Sequence, residues 1–121
     1  VVYQVDAEGD LAEDRFNALV LAFNEYVTGK QLTHVYVEGL PFVKSRKGIV
    51  GLASILGAVQ AICALNDVTC TVVPGYRWKR ALSTGTTKER VSDWVSSQGV
   101  ELETQDLRDA YAIARYGQLC G

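Results

Sequence analysis

Thr33-His34-Val35-Tyr36-Val37-Glu38 alternates apolar and polar side chains. That is the period of a half-buried strand, with Val35 and Val37 on one face and His34, Tyr36 and Glu38 on the other. Further on, the chain from Gly48 to Asn66 reads as a long helix. Val68-Thr69-Cys70-Thr71-Val72-Val73 then reads as a second strand, rich in β-branched residues and stopped by Pro74-Gly75. Strand, long helix and strand in succession predict an α/β fold. In such a sheet the carboxyl end of a strand is where functional residues collect, so Glu38 is the first candidate.

The helix from Gly48 to Asn66 is apolar nearly all round and smoothed by Gly51, Gly57 and several alanines, which predicts burial on both sides. Two arrangements supply that cover: central packing inside one subunit, or the same helix of a second copy in a homodimer. Ser54 and Gln60 interrupt the apolar run, which is shorter than the roughly 20 residues a membrane span needs. No membrane partner is therefore expected.

Upstream, Val1-Val2-Tyr3-Gln4-Val5 has the look of a strand that begins without a lead-in. Asp10 and Glu13 form a capping-box pattern. Phe16, Leu19, Val20, Phe23 and Val27 follow at helical spacing, and Gly29 supplies the stop. His34 has no second histidine to share a metal with and reads as a packed or hydrogen-bonded residue.

Downstream, Tyr76-Arg77-Trp78-Lys79-Arg80 interleaves aromatic and basic side chains, a composition suited to a nucleic-acid backbone with stacking surfaces. Thr86-Thr87-Lys88-Glu89 carries a second capping box ahead of a helix that buries Val91, Trp94 and Val95. Lys88 falls in that helix's first turn, where a cation opposes the dipole but can help hold an anion. After a linker from Gly99 to Thr104, Gln105-Asp106-Leu107-Arg108-Asp109-Ala110-Tyr111 opens a last helix with two aspartates three residues apart. They are neighbours on one face, and they repel unless Arg108, solvent or a divalent metal lies between them. Taken alone, they are good first-turn residues.

The chain has 121 residues, 48% apolar and 21% charged, which matches one globular domain and not a disordered segment. Its net charge of −2 is unevenly spread. Between Lys44 and Arg90 eight basic residues face only two acids, Asp67 and Glu89, a local excess of six positive charges that could meet phosphates. Three cysteines, Cys63, Cys70 and Cys120, show no metal-binding spacing and predict a reducing, intracellular setting.

Taken together, these pieces resemble the RuvC-type Holliday-junction resolvases, particularly their phage relatives. The matching pieces are Val35-Tyr36-Val37-Glu38 with Phe42 after it, Gly57-Ala58, Pro74 through Lys79, Thr87-Lys88, and Asp106 through Ala114. They run in the family's order from about Val1 to Tyr116. The resemblance implies a ribonuclease-H-like fold, with a mixed central sheet flanked by helices. It also implies a homodimer, here through the Gly48 to Asn66 helix, that cuts four-way DNA junctions by Mg²⁺-dependent phosphodiester hydrolysis, with Mn²⁺ able to substitute. Glu38, Asp106 and Asp109 are then metal ligands. Lys79 and Lys88 contact DNA near the cut, Lys88 also serving catalysis, and Phe42 touches unstacked bases. Arg77, Arg80, Lys44 and Lys47 add salt-dependent affinity for the arms. A cytoplasmic setting, in a bacterium or a phage-infected host, goes with this reading.

One departure matters. The family carries its first catalytic aspartate on an opening strand, and a second strand follows before the one that Val1 to Val5 matches. Neither is in this sequence. A sheet lacking its central strand would leave backbone groups unpaired, so the expectation is a single nuclease domain over residues 1–121 that is incomplete at its N-terminus. Asp6 is not a substitute, because it lies on the wrong strand. Two alternatives stand beside the resolvase reading: a branched-DNA-binding homodimer without catalysis, and a ribonuclease-H-like nuclease with another substrate.

Overall fold

The computed structural model describes residues 12–39, 46–82 and 87–120. Their elements run α1 (Ala12–Gly29), β1 (His34–Glu38), α2 (Arg46–Leu65), β2 (Thr69–Val73), α3 (Gly75–Ala81), α4 (Lys88–Ser97) and α5 (Gln105–Cys120). The strand expected at residues 1–5 and the cap expected at Asp10 lie outside the described residues. β1 and β2 pair as neighbours. They are parallel, since Thr69 N–H donates to Thr33 O at one end (3.2 Å) and Gly39 N–H to Val73 O at the other (2.8 Å). A parallel pair requires a crossover, which α2 provides.

The chain divides into two compact units. One contains α1, α2 and the first residues of both strands. Its core is Val27, Ile62, Cys63 and Val68, with Val20, Phe23, Val35 and Cys70 packed against it. The helical face read from Phe16 to Val27 is thus the face α1 buries, with the strongest burial at Val27. α1 ends at Gly29, as expected. α2 ends in a tight turn: Val68 N–H returns to Cys63 O (2.9 Å) and the Asn66 side-chain amide donates to Ile62 O (2.8 Å). Asp67 occupies the left-handed region there, at φ 59°, a conformation aspartate tolerates better than most residues.

The predicted burial of α2 on both sides is corrected here. Ile62 and Cys63 are its buried residues, whereas Val50 is 59% and Leu65 85% exposed, with Ile49 and Leu52 also exposed. Central packing within one subunit is therefore not what this helix does among the described residues. An all-round apolar composition says that a helix wants cover, but not where the cover comes from. By length and composition alone α2, which holds an 18-residue stretch of mean hydropathy 2.1, is also apolar enough to cross a membrane.

The second unit holds the ends of both strands and α3, α4 and α5. Trp78 and Val91 are fully buried at its centre, joined by Val73, Leu82, Val95, Ala112 and Ile113. Tyr36 of β1 packs against this cluster, and its hydroxyl donates to Gly117 O of α5 (3.3 Å). The contact is close enough that a Cβ on Gly117 would overlap the Tyr36 ring.

Candidate functional site

Glu38, Lys79, Lys88, Asp106 and Asp109 all belong to this second unit. Glu38 is the last residue of β1 and its side chain is exposed. The Gly39 N–H to Val73 O bond ties the strand end down immediately after it. The Trp78 indole N–H donates to Glu38 Oε2 at 3.1 Å. Because Trp78 has no exposed surface, a rigid donor orients an otherwise mobile carboxylate. α3 begins hard against the same group, since a Cβ at Gly75 would lie 3.3 Å from Glu38 Oε1. Lys79 places its ammonium 5.3 Å from the Trp78 ring centroid, within cation–π range.

Sequence reasoning reached Glu38 but missed Trp78 and Gly75 as its supports. The available signal was a tryptophan inside a basic, surface-like segment, where an indole needs a hydrogen-bond partner if buried. Trp78→Phe keeps one aromatic ring but deletes the donor and the rest of the buried indole. It is expected to lower unfolding free energy by about 2–4 kcal/mol, a lost hydrogen bond plus the cavity left in a fully buried site. Urea denaturation checks this, and an unchanged midpoint would remove the indole from its orienting role.

The two aspartates open α5. Thr104 caps the helix: its hydroxyl accepts from Leu107 N–H (3.2 Å) and its carbonyl from Arg108 N–H (3.1 Å). Asp106 is exposed in the first turn, where the dipole favours a negative charge. Asp109 is half-buried, and its Oδ1 accepts from the Gln105 side-chain amide at 2.8 Å. Gln105 in turn accepts from Ser92 of α4 (3.5 Å), so a neutral polar chain orients Asp109. Arg108 turns back to donate to the Leu102 and Glu103 carbonyls (3.1 and 3.4 Å).

Asp109, Ile113 and Gly117 lie four residues apart and share one face of α5. Ile113 is buried and Gly117 meets Tyr36. Tyr36 and Glu38 share one side of β1, because strand side chains alternate. Glu38 and Asp109 thus belong to the strand and the helix that meet at Tyr36 and Gly117. Even so, among the described residues no three His, Cys, Asp or Glu side chains form a group able to hold a metal ion, so Glu38, Asp106 and Asp109 are not gathered into a three-ligand cluster. The donor chemistry does fit a hard cation: Glu38 and Asp109 each give one oxygen to a neutral N–H donor. Mg²⁺ commonly takes one or two carboxylates, with water and substrate phosphate completing its shell.

The basic residues divide differently. α3 exposes Tyr76, Arg77 and Arg80, with the Arg80 guanidinium 5.8 Å from the Tyr76 ring centroid. Lys88 is the first residue of α4 and is exposed. The cap is Thr87, whose hydroxyl accepts from Arg90 N–H at 3.2 Å. The box read on Thr86 and Glu89 is therefore one residue out of register. Lys47 is exposed in the first turn of α2, in the other unit. Phe42 and Lys44 fall outside the described residues.

No protein-family model and no curated protein matches the sequence. Solved structures do. RuvC of Thermus thermophilus in complex with Holliday junction substrate superposes with a TM-score of 0.76 at 21% identity, over 98% of this chain and 76% of that one. A Thermus thermophilus RuvC structure gives 0.73 at 23% identity, over 98% and 75%. The chain has the fold of RuvC, a ribonuclease-H-like fold in which helices dominate here.

Proposed function

We propose that this chain is a structure-selective DNA endonuclease that resolves four-way junctions or related branched DNA with Mg²⁺. What supports the reading is a RuvC-like fold in which the Trp78 indole orients the Glu38 carboxylate and the Gln105 amide orients Asp109. Glu38, Asp106 and Asp109 would hold the metal, with Mn²⁺ as a substitute. When bound, that metal supplies an activated water and stabilises the leaving oxygen of the phosphodiester. The residues of the chain do the rest. Trp78 and Gln105 keep the Glu38 and Asp109 carboxylates aimed. Lys88, at the exposed start of α4, stabilises charge building on the scissile phosphate. Lys79, Arg77 and Arg80 hold the backbone of the arms, with Lys44, Lys47 and Phe42 as further contacts. Exposed Ile49, Val50 and Leu52 on α2 favour a homodimer through that helix, in keeping with a substrate that presents two equivalent strands. A cytoplasmic setting completes the reading.

Among the described residues no three-ligand group forms, which gives a second reading: a homodimer that binds branched DNA without cutting it. Phosphate contacts position a nucleic acid without choosing its shape, so substrate class must be measured. Four-way junction, flap, linear duplex and RNA–DNA hybrid offered in parallel decide it. Preferential nicking of the junction is expected, and preferential cutting of the hybrid would move the chain to another substrate. Lys88→Ala is expected to slow junction nicking about 10²-fold, the scale of one lost electrostatic stabiliser, while weakening binding only a few-fold. Equal losses in single-turnover rate and gel-shift affinity would reduce Lys88 to an ordinary backbone contact.

A further inference from the structure

Cys63 lies in the last turn of α2 with no exposed surface, and Cys70 is the second residue of β2 and half-buried. The turn between them is held by the Val68 N–H to Cys63 O bond and by Asp67 in its left-handed conformation. It folds β2 back on the helix, so that Cys70 packs against the cluster of Val27, Ile62, Cys63 and Val68. The two cysteines thus share one small apolar cluster. Burial, and then the Cys70 thiol beside it, pushes the Cys63 thiol up to about 11. Cys63 therefore rests protonated at neutral pH, and the half-buried Cys70 is the sulfur an incoming reagent meets first. Cys120 belongs to the other unit and is exposed.

We infer that Cys63 and Cys70 form a two-electron redox site that takes a peroxide as oxidant and closes reversibly to a disulfide. The Cys70 thiolate attacks one peroxide oxygen and breaks the O–O bond. Cys70 becomes a sulfenic acid and the departing hydroxide takes a proton to leave as water. The Cys63 sulfur then attacks the Cys70 sulfur, and the sulfenic hydroxyl leaves with the Cys63 proton as a second water. One peroxide is reduced to two waters while two thiols are oxidised to one disulfide. This site is independent of the nuclease reading.

The test uses hydrogen peroxide on the full chain, then denaturation, thiol alkylation and trypsin under non-reducing conditions. No lysine or arginine lies between Lys47 and Arg77, so one peptide, residues 48–77, carries both cysteines and excludes Cys120. The expected result is that peptide unalkylated and lighter by two hydrogens, restored to the doubly alkylated form by dithiothreitol. In Cys70→Ser the shift should vanish and Cys63 should alkylate fully. Should that variant fail to fold, the wild-type peptide decides alone. Recovery of Cys70 as sulfinic acid with Cys63 alkylated, or of the peptide doubly alkylated after peroxide, overturns the inference.

Discussion

Asp109→Asn is expected to lower junction cleavage by at least about 10²–10³-fold, the scale of a lost charge-stabilising group at a reaction centre, while junction affinity stays within about twofold of the parent. The substitution is nearly isosteric, and the Gln105 amide that now donates to Asp109 Oδ1 can donate equally well to the oxygen of the new amide. Helix α5 and its packing on α4 therefore survive. What changes is charge. A carboxylate oxygen not committed to Gln105 becomes an amide N–H₂, which cannot bind a cation. Affinity for DNA is set mainly by phosphate contacts to lysine and arginine, and Asp109 makes none. Single-turnover cleavage and a gel shift on the same preparation separate the two quantities. Parent-like turnover would remove Asp109 from the metal site, and a parallel loss of binding would indicate a folding defect.

Gly117→Ala is expected to destabilise the protein by about 2–3 kcal/mol, near the upper end for overpacking a tight core. Helix propensity alone argues the opposite sign, since alanine within a helix is favoured over glycine by about 1 kcal/mol. The decisive fact is steric. A Cβ at this position would overlap Cε2, Cδ2 and Cζ of Tyr36, and the Tyr36 hydroxyl already bonds the Gly117 carbonyl. α5 would have to retreat from β1, which carries Glu38 two residues beyond Tyr36. Combining Gly117→Ala with Tyr36→Leu should restore part of the loss, because contacting residues are not additive. A strictly additive double variant, or a single variant as stable as the parent, would show that the helix and strand do not meet as closely as described.

These two residues also mark the limit of what can be read from the chain. Local elements were legible. Strands at His34–Glu38 and Thr69–Val73 and the helix opening at Gln105 agree with alternation, β-branching and capping chemistry. The Val91 and Val95 face of α4 is likewise buried, with Trp94 half-buried. Glu38, Asp106 and Asp109 could be singled out because charge at a strand end or in a helix's first turn has a local rationale. Their supports could not. Trp78 reaches Glu38 across 40 residues and Tyr36 reaches Gly117 across 81, and no periodicity carries such pairings. The α4 cap lies one residue later than expected because the sequence offers two adjacent threonine hydroxyls, and the Arg90 N–H goes to that of Thr87.

The exposed side of α2 is the other lesson. Its composition demanded cover, yet among the described residues only Ile62 and Cys63 are buried, with Val59 partly covered. Homodimer formation through this helix would satisfy the same demand that the sequence expressed, and it would give the two active sites that a four-way junction requires.

The central claim is tested most directly by incubating the full chain with an end-labelled four-way junction in Mg²⁺, alongside an equal amount of linear duplex and a chelator control. The account predicts paired nicks close to the crossover, in strands of like polarity, with the duplex intact and no cleavage in chelator. Tight junction binding without nicks in either Mg²⁺ or Mn²⁺ would contradict it and leave a DNA-binding homodimer in its place.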